Sequence, residues 1–374
     1  MKIVFTCGGT AGHINPALGV AALLRQRMPE TEVLFIGAKG MMEETLVPRE
    51  GFAMETVPIT NIRRGMKPAD IAHNLNTLKN VAVSTTQAKR LLRQFRPDVA
   101  IGTGGYVCYP VLKAAHSLHI PTLVHESNAV PGLTTKMLEK TVDRILVGFE
   151  EARENYRCRD KVTVTGTPVR MEFLHADSAQ ARRELGIPEG KPLVVSVWGS
   201  LGARRMNEIA VELIRRACQD PFFCMIHSAG SRGYDAMCAA LREQGLADCA
   251  KAGFEVRQYI YDMPRVMAAA DLVLCRAGAS TLAELTAMGK PAVLVPSPNV
   301  TNDHQTKNAR VLEEAGAAVL LREGAFGADA LLGTISSLLG APEKLRAMSE
   351  RMQALSVGDA TGRIADLALE LAGK

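Results

Sequence analysis

Residues 2–13 read KIVFTCGGTAGH. The first five are apolar apart from their ends and form a short buried strand, Lys2–Thr6. The next six, Gly8-Gly9-Thr10-Ala11-Gly12-His13, form a glycine-rich turn. A helical stretch follows, opened by Pro16 at a favoured first-turn position. The same grammar restarts downstream, where PLVVSV at 192–197 meets Gly199-Ser200-Leu201-Gly202-Ala203 and a helix carrying Asn207 and Glu208. Further strands are predicted at Glu32–Ile36, Asp98–Gly102, Thr122–His125, Phe222–His227, Phe254–Gln258, Leu272–Cys275 and Ala292–Val295. Short apolar strands alternating with helices predict a parallel α/β architecture. Two doubly wound, Rossmann-like domains are expected, at 1–164 and 165–355, with Thr165-Gly166-Thr167-Pro168 linking them across a cleft. In such folds ligands bind outside the carboxyl ends of the strands, where both glycine turns lie.

Length and composition agree. The 374 residues suit two domains, and 47% hydrophobic with 22% charged residues is ordinary for a globular chain. No apolar run is long enough for a membrane-spanning helix, and the N-terminal apolar stretch is too short for a secretion signal. The eight cysteines, at 7, 108, 158, 218, 224, 238, 249 and 275, form no CxxC pair, so reduced thiols are expected rather than a zinc or redox motif. A net charge of +5 is too small to argue for nucleic acid, but it suits anionic small molecules or an anionic membrane surface.

The first turn has the makings of an anion cradle, combining glycines that allow close backbone approach with a helix N-terminus behind them. It is neither GxGxxG nor a P-loop. His13 at the helix mouth reads as a general base or as a capping, phosphate-contacting histidine. Ser200 in the second turn can donate to a phosphate. In Gly278-Ala279-Ser280-Thr281-Leu282-Ala283-Glu284, the pair Thr281 and Glu284 fits a capping box. Alternatively, that helix N-terminus faces a diphosphate and Glu284 grips ribose hydroxyls. Asn302, Asp303, His304, Gln305 and Asn308 read either as sugar contacts or as a polar helix cap. His125-Glu126-Ser127-Asn128 lacks HExxH spacing. Arg170 reads as a fixed cation for a departing phosphate or as an exposed linker residue. Between 63 and 96, Ile71, Leu75, Leu78 and Ala82 recur at helical spacing beside Arg63, Arg64, Lys67, Lys79, Lys89, Arg90, Arg93 and Arg96. A core-facing stripe is expected, and an anionic-lipid surface is the alternative.

Seven motifs in order carry a resemblance that spans nearly the whole chain. They are GGTAGHINPA at 8–17, IGTGGYVCYP at 101–110, HESN at 125–128, GTPVR at 166–170, GSLGA at 199–203, CRAGASTLAE at 275–284 and NDHQTKNA at 302–309. With these the sequence resembles the MurG family, the bacterial N-acetylglucosaminyltransferases of peptidoglycan synthesis. It departs from that pattern at Ala11 (usually glycine), Trp198 (usually glycine), Leu201 (usually glutamine) and Thr167 (commonly asparagine).

The resemblance implies a GT-B fold whose C-terminal helix, from about 356, packs back on the first domain. It implies inverting transfer of GlcNAc from UDP-GlcNAc to the MurNAc 4-hydroxyl of lipid I, undecaprenyl-pyrophosphoryl-MurNAc-pentapeptide, giving lipid II. The acceptor would meet Gly8, Gly9, Thr10, Ala11, Gly12, Tyr106 and Asn128. The donor would meet Thr10, Ala11, Gly12, Asn128, Arg170, Ser200, Ile260 (through its backbone), Ala279, Ser280, Thr281, Leu282, Ala283, Glu284, His304 and Gln305. His13 would be the base. No resident metal or cofactor is implied, although free magnesium can assist. Expected partners are the two substrates, the anionic cytoplasmic face of the inner membrane, and other cell-wall synthesis and division proteins. Nucleic acid is not among them. Rival readings are a UDP-GlcNAc epimerase, a nicotinamide oxidoreductase, a lipid-binding scaffold, and a glycosyltransferase with a diacylglycerol acceptor.

Overall fold

The computed structural model describes residues 1–60, 68–300 and 303–373, with side chains at all of these except 68–76 and 78. The chain divides into two compact units, one of Met1–Met171 with Val357–Lys374 and one of Glu172–Ser356.

The first unit holds seven parallel strands: β1 (Lys2–Thr6), β2 (Glu32–Ala38), β3 (Ala53–Val57), β4 (Val99–Gly102), β5 (Thr122–Glu126), β6 (Arg144–Val147) and β7 (Val162–Val164). Their order is β3-β2-β1-β4-β5-β6-β7, so the winding reverses between β1 and β4. Register at the reversal pairs Phe5 with Phe35 on one side and Ile101 on the other. The central strands are buried on both faces, which is why they read as continuous apolar runs rather than alternating ones. Helix Ala360–Leu371 belongs to this unit and packs on helix Ala11–Arg27. Thr361 Oγ1 donates to the Val169 carbonyl at 2.8 Å, and Ile364, Ala365 and Ala368 enter the core beneath β1. The segment Thr165–Arg170 also stays with this unit, because the Thr165 amide bonds the Val147 carbonyl at 3.1 Å and the Gly166 carbonyl accepts from buried His125.

The second unit holds six parallel strands: β8 (Leu193–Val197), β9 (Cys224–Ser228), β10 (Phe254–Arg257), β11 (Leu272–Cys275), β12 (Ala292–Leu294) and β13 (Ala318–Leu320). Their order, β10-β9-β8-β11-β12-β13, reverses between β8 and β11. Two apolar clusters sandwich this sheet, as a doubly wound fold requires.

Two sequence expectations change, the place of Pro16 and that of Ala82, and two further helix boundaries are set by the structure. Helix Ala11–Arg27 starts well before Pro16, which sits inside it and has no N–H to offer the Gly12 carbonyl. The helix after the second turn starts at Arg204. The tail beyond Pro342 is two helices, Pro342–Ala354 and Ala360–Leu371, broken at a positive-φ glycine, Gly358. In helix Pro68–Phe95 the buried face runs through Thr77, Ser84, Ala88 and Leu92. Ala82, expected in the core stripe, is exposed beside Val83, itself 45% exposed. Arg63, Arg64, Lys67 and Asn302, and the side chains of Ile71, Leu75 and Leu78, lie outside the described residues.

Candidate active site

At the reversal in the first unit, the turns after β1 and β4 touch glycine to glycine. The Gly8 amide donates to the Gly104 carbonyl at 3.2 Å, and a Cβ on Gly105 would overlap the Gly8 carbonyl. Gly104 and Gly105 both hold positive φ, at 116° and 88°, where a side chain is strained. A Cβ on Gly104 would overlap the His13 imidazole, so that ring lies directly on the bare glycine. Thr103 Oγ1 donates to the His13 carbonyl at 2.6 Å and fixes the same contact from the backbone side.

Glu43 completes this arrangement, and no motif pointed to it. It is fully buried. Its Oε1 accepts from the Ala38 amide at 2.9 Å and its Oε2 from the Gly9 amide at 3.0 Å. The amides of Gly8 and Gly9 are therefore engaged within the protein. Thr10 caps helix Ala11–Arg27 without a side-chain hydrogen bond, and its first turn carries no acid to offset the positive end of the dipole. Tyr106 flanks Gly9. Burial first, and then the Glu43 charge, push its phenol above the usual range, so it stays a neutral donor. Glu43→Gln should cut turnover about tenfold and lower Tm, because an amide cannot accept from both N–H groups and leaves one buried donor unpaired. Steady-state kinetics and calorimetry check this.

The turn after β5 is organised by a second buried carboxylate. Glu126 accepts from the Asn128 amide (3.1 Å), Asn128 Nδ2 (2.9 Å), the Gly132 amide (2.8 Å) and Thr135 Oγ1 (2.9 Å). Glu126 thereby fixes the orientation of the Asn128 side chain. His125 is structural. Its Nε2 donates to the Gly166 carbonyl at 2.9 Å, and burial lowers its pKa to about 4. Arg170 lies against helix Ala11–Arg27 at Gly19 and pairs with Glu50 at 4.0 Å.

In the second unit, the remaining predicted positions gather at the carboxyl ends of the strands. The turn after β8 rests on the loop after β9: the Ser231 amide donates to the Ser200 carbonyl at 3.1 Å, and a Cβ on Gly202 would overlap the Ala229 carbonyl. Ser200 is half-buried. Ile260 follows β10 with its side chain in the core, so only its backbone can meet a ligand. After β11, helix Ala279–Met288 is capped by Gly278. Thr281 is its third residue rather than its cap, so the capping-box reading fails. Glu284 lies a turn further in, nearly buried, and its charge adds to the burial that pushes the Cys275 thiol up to about 12. Asn308, fully buried, reaches the Ala277 carbonyl at 3.4 Å, and Gln305 Oε1 accepts from the Ser297 amide at 2.8 Å. These two therefore hold the loops after β11 and β12. His304 opens its helix behind Asp303, whose φ of 50° is left-handed.

Two Rossmann-like units, each with a glycine turn and a helix N-terminus lacking a side-chain cap bond at its switch point, give the chain the fold class of the GT-B glycosyltransferases. The glycosyltransferase family 28 N-terminal domain matches residues 3–147, and the family 28 C-terminal domain matches 193–364. The chain is 42% identical, over 98% of its length and 97% of the relative's, to the UDP-N-acetylglucosamine–N-acetylmuramyl-(pentapeptide) pyrophosphoryl-undecaprenol N-acetylglucosamine transferase of Acetivibrio thermocellus. It is 40% identical to the transferase of the same name from Desulforudis audaxviator, covering 100% of this chain and 99% of that one. The crystal structure of Acinetobacter baumannii MurG superposes with a TM-score of 0.71 at 27% identity, covering 99% of both chains. The chain belongs to glycosyltransferase family 28 and, within it, to the MurG family.

Proposed function

We propose that the chain transfers GlcNAc from UDP-GlcNAc to the MurNAc 4-hydroxyl of lipid I, with inversion at C1, to make lipid II for peptidoglycan. One observation carries the geometric side of this reading. Each unit presents, at its sheet reversal, a helix N-terminus with neither a side-chain cap nor an acid in its first turn. Two such termini suit a reaction in which both substrates carry a pyrophosphate.

In this reading the first unit takes the acceptor. Its pyrophosphate meets Thr10, Ala11 and Gly12, with Tyr106 and the Asn128 carbonyl oxygen near its sugar and Gly8 and Gly9 shaping the turn. His13 removes the proton from the attacking hydroxyl. The second unit takes the donor. The Ile260 backbone meets uracil, Glu284 spans the ribose hydroxyls, Ser200 and residues Ala279–Ala283 receive the diphosphate, and His304 and Gln305 meet the sugar. Arg170 supplies positive charge toward the leaving diphosphate, in exchange for its ion pair with Glu50. The helix termini neutralise the charge that develops on UDP, and the protein contributes no resident metal. Free magnesium is tested by adding chelator.

Peripheral attachment to the anionic cytoplasmic face of the inner membrane is part of the proposal. Among the described residues no helix is long and apolar enough to cross a membrane. In the first unit Val83, Leu133 and Met137 are exposed, with Lys79, Arg90 and Lys136 exposed on the same helices and Lys140 exposed in the turn after Leu133–Leu138. Contacts with other wall-synthesis and division proteins would follow from that location.

The test is UDP release from UDP-GlcNAc with and without a short-chain lipid I analogue, with the product weighed by mass spectrometry. Acceptor-dependent UDP and a disaccharide product are expected. UDP release that ignores the acceptor favours a hydrolase or an epimerase. Transfer to diacylglycerol instead would move the acceptor assignment.

A further inference from the structure

We propose that Trp198, Ser196, His227 and Asn207 form a buried relay that positions the turn Gly199–Ala203 for the donor diphosphate; this rests on the reading of that turn as part of the donor site. The chain of bonds is continuous. Trp198 Nε1 donates to Ser196 Oγ at 2.9 Å, and Ser196 Oγ donates to His227 Nδ1 at 2.9 Å. His227 Nε2 donates to Asn207 Oδ1 at 3.1 Å, and Asn207 Nδ2 donates to the Ala229 carbonyl at 2.9 Å. Both ends fix its direction, because an indole N–H only donates and a carbonyl only accepts. Every donor between them has one acceptor, and the imidazole must be neutral with its proton on Nε2.

All four side chains are buried, so removing one link strands its neighbour away from water. The relay also grips the turn from both sides. Trp198 precedes it, Asn207 lies in the first turn of the helix that follows it, and Ala229 opens the loop beneath it. A Cβ on Gly233 would overlap Asn207 Nδ2, and one on Gly230 would overlap the Gly202 amide, so the whole assembly is seated on bare glycine backbone. The indole reaches the other switch-point strand as well. The Arg276 guanidinium lies 5.7 Å from its ring centre, pairs with Glu323 at 2.6 Å and donates to the Val295 carbonyl at 3.0 Å. One aromatic side chain thus braces the turn after β8 against the loops after β11 and β12.

These are positioning residues, and the test separates positioning from packing. Trp198→Phe keeps a ring but deletes the N–H, and Ser196→Ala deletes the node. In the full chain, both should raise the UDP dissociation constant and the UDP-GlcNAc KM about fivefold to tenfold, leaving the acceptor KM unchanged. UDP affinity equal to the wild type in either folded variant overturns the proposal. Trp198 is the sole tryptophan, so wild-type emission reports on the relay even where a variant fails to fold. Saturating UDP should shift that emission with the midpoint that calorimetry gives, and no shift at saturation overturns the proposal. A wild-type chain that binds no UDP by calorimetry removes the donor-site reading itself, whereas normal UDP binding with insensitive variants removes only the relay.

Discussion

His13→Ala lowers turnover about a hundredfold or more, the usual worth of a positioned general base, while the UDP-GlcNAc KM stays within about twofold. The structure supplies a second way to the same side chain. Gly104 carries a φ of 116°, and a Cβ there would lie 2.7 Å from His13 Cε1 and still closer to Nδ1. Gly104→Ala must push the imidazole off its seat without altering its chemistry, so it too should depress turnover, by about tenfold or more on the scale of misplaced catalytic groups. The two substitutions should not add. In a His13→Ala background there is no ring to displace, and Gly104→Ala should cost only its backbone strain. Steady-state kinetics on the four chains measure the coupling. If Gly104→Ala costs as much without the imidazole as with it, its effect is strain in the turn, and His13 has no special seat there.

The central strands were legible because burial on both faces writes them as unbroken apolar runs; β1, β5, β8 and β11 were placed within a residue or so at each end. Four strands are not marked by the sequence pattern: the edge strands β3, β7 and β13, and β6, which lies next to the edge. β3 reads AMETV and alternates exposure, while β7 and β13 have three residues each, too few for any period to show. The glycine turns were legible for a related reason, since close backbone approach leaves no residue other than glycine at 105 or 202. What the sequence concealed is who satisfies those turns. Glu43 sits on a short helix after β2, Glu126 reads as one letter of HESN, and His227 lies on a different strand from Ser196; only tertiary structure brings them to their partners. Thr281 and Glu284 show the opposite failure. A local pattern explained both residues, and it failed because the helix is capped three residues earlier, at Gly278.

Acid should weaken both units, and the sign follows from two buried histidines. An imidazole ordinarily titrates near 6.5, whereas burial holds His125 at about 4 and His227 at about 3. For His125 the hydrogen bond to Gly166 and the nearby Glu126 charge pull the other way without overcoming burial. Between those values the unfolded chain binds the proton and the folded chain does not, so stability falls as pH falls. The contribution is complete above 6.5, is lost progressively below it, and is gone once pH passes the folded values. At 1.36 kcal/mol per pH unit, roughly 3 kcal/mol is at stake at His125 and roughly 5 kcal/mol at His227. That is a large share of the 5–15 kcal/mol that typically holds a domain together. Melting temperature followed from pH 7.5 to 4.5 should therefore drop steeply below about 6. His227→Gln, which keeps a donor and an acceptor but cannot take the proton, should lower Tm at neutral pH yet flatten the acid slope of the second unit. His125→Gln should do the same for the first. An acid slope unchanged in both variants would mean that carboxylates, not these imidazoles, set the acid limit of the fold.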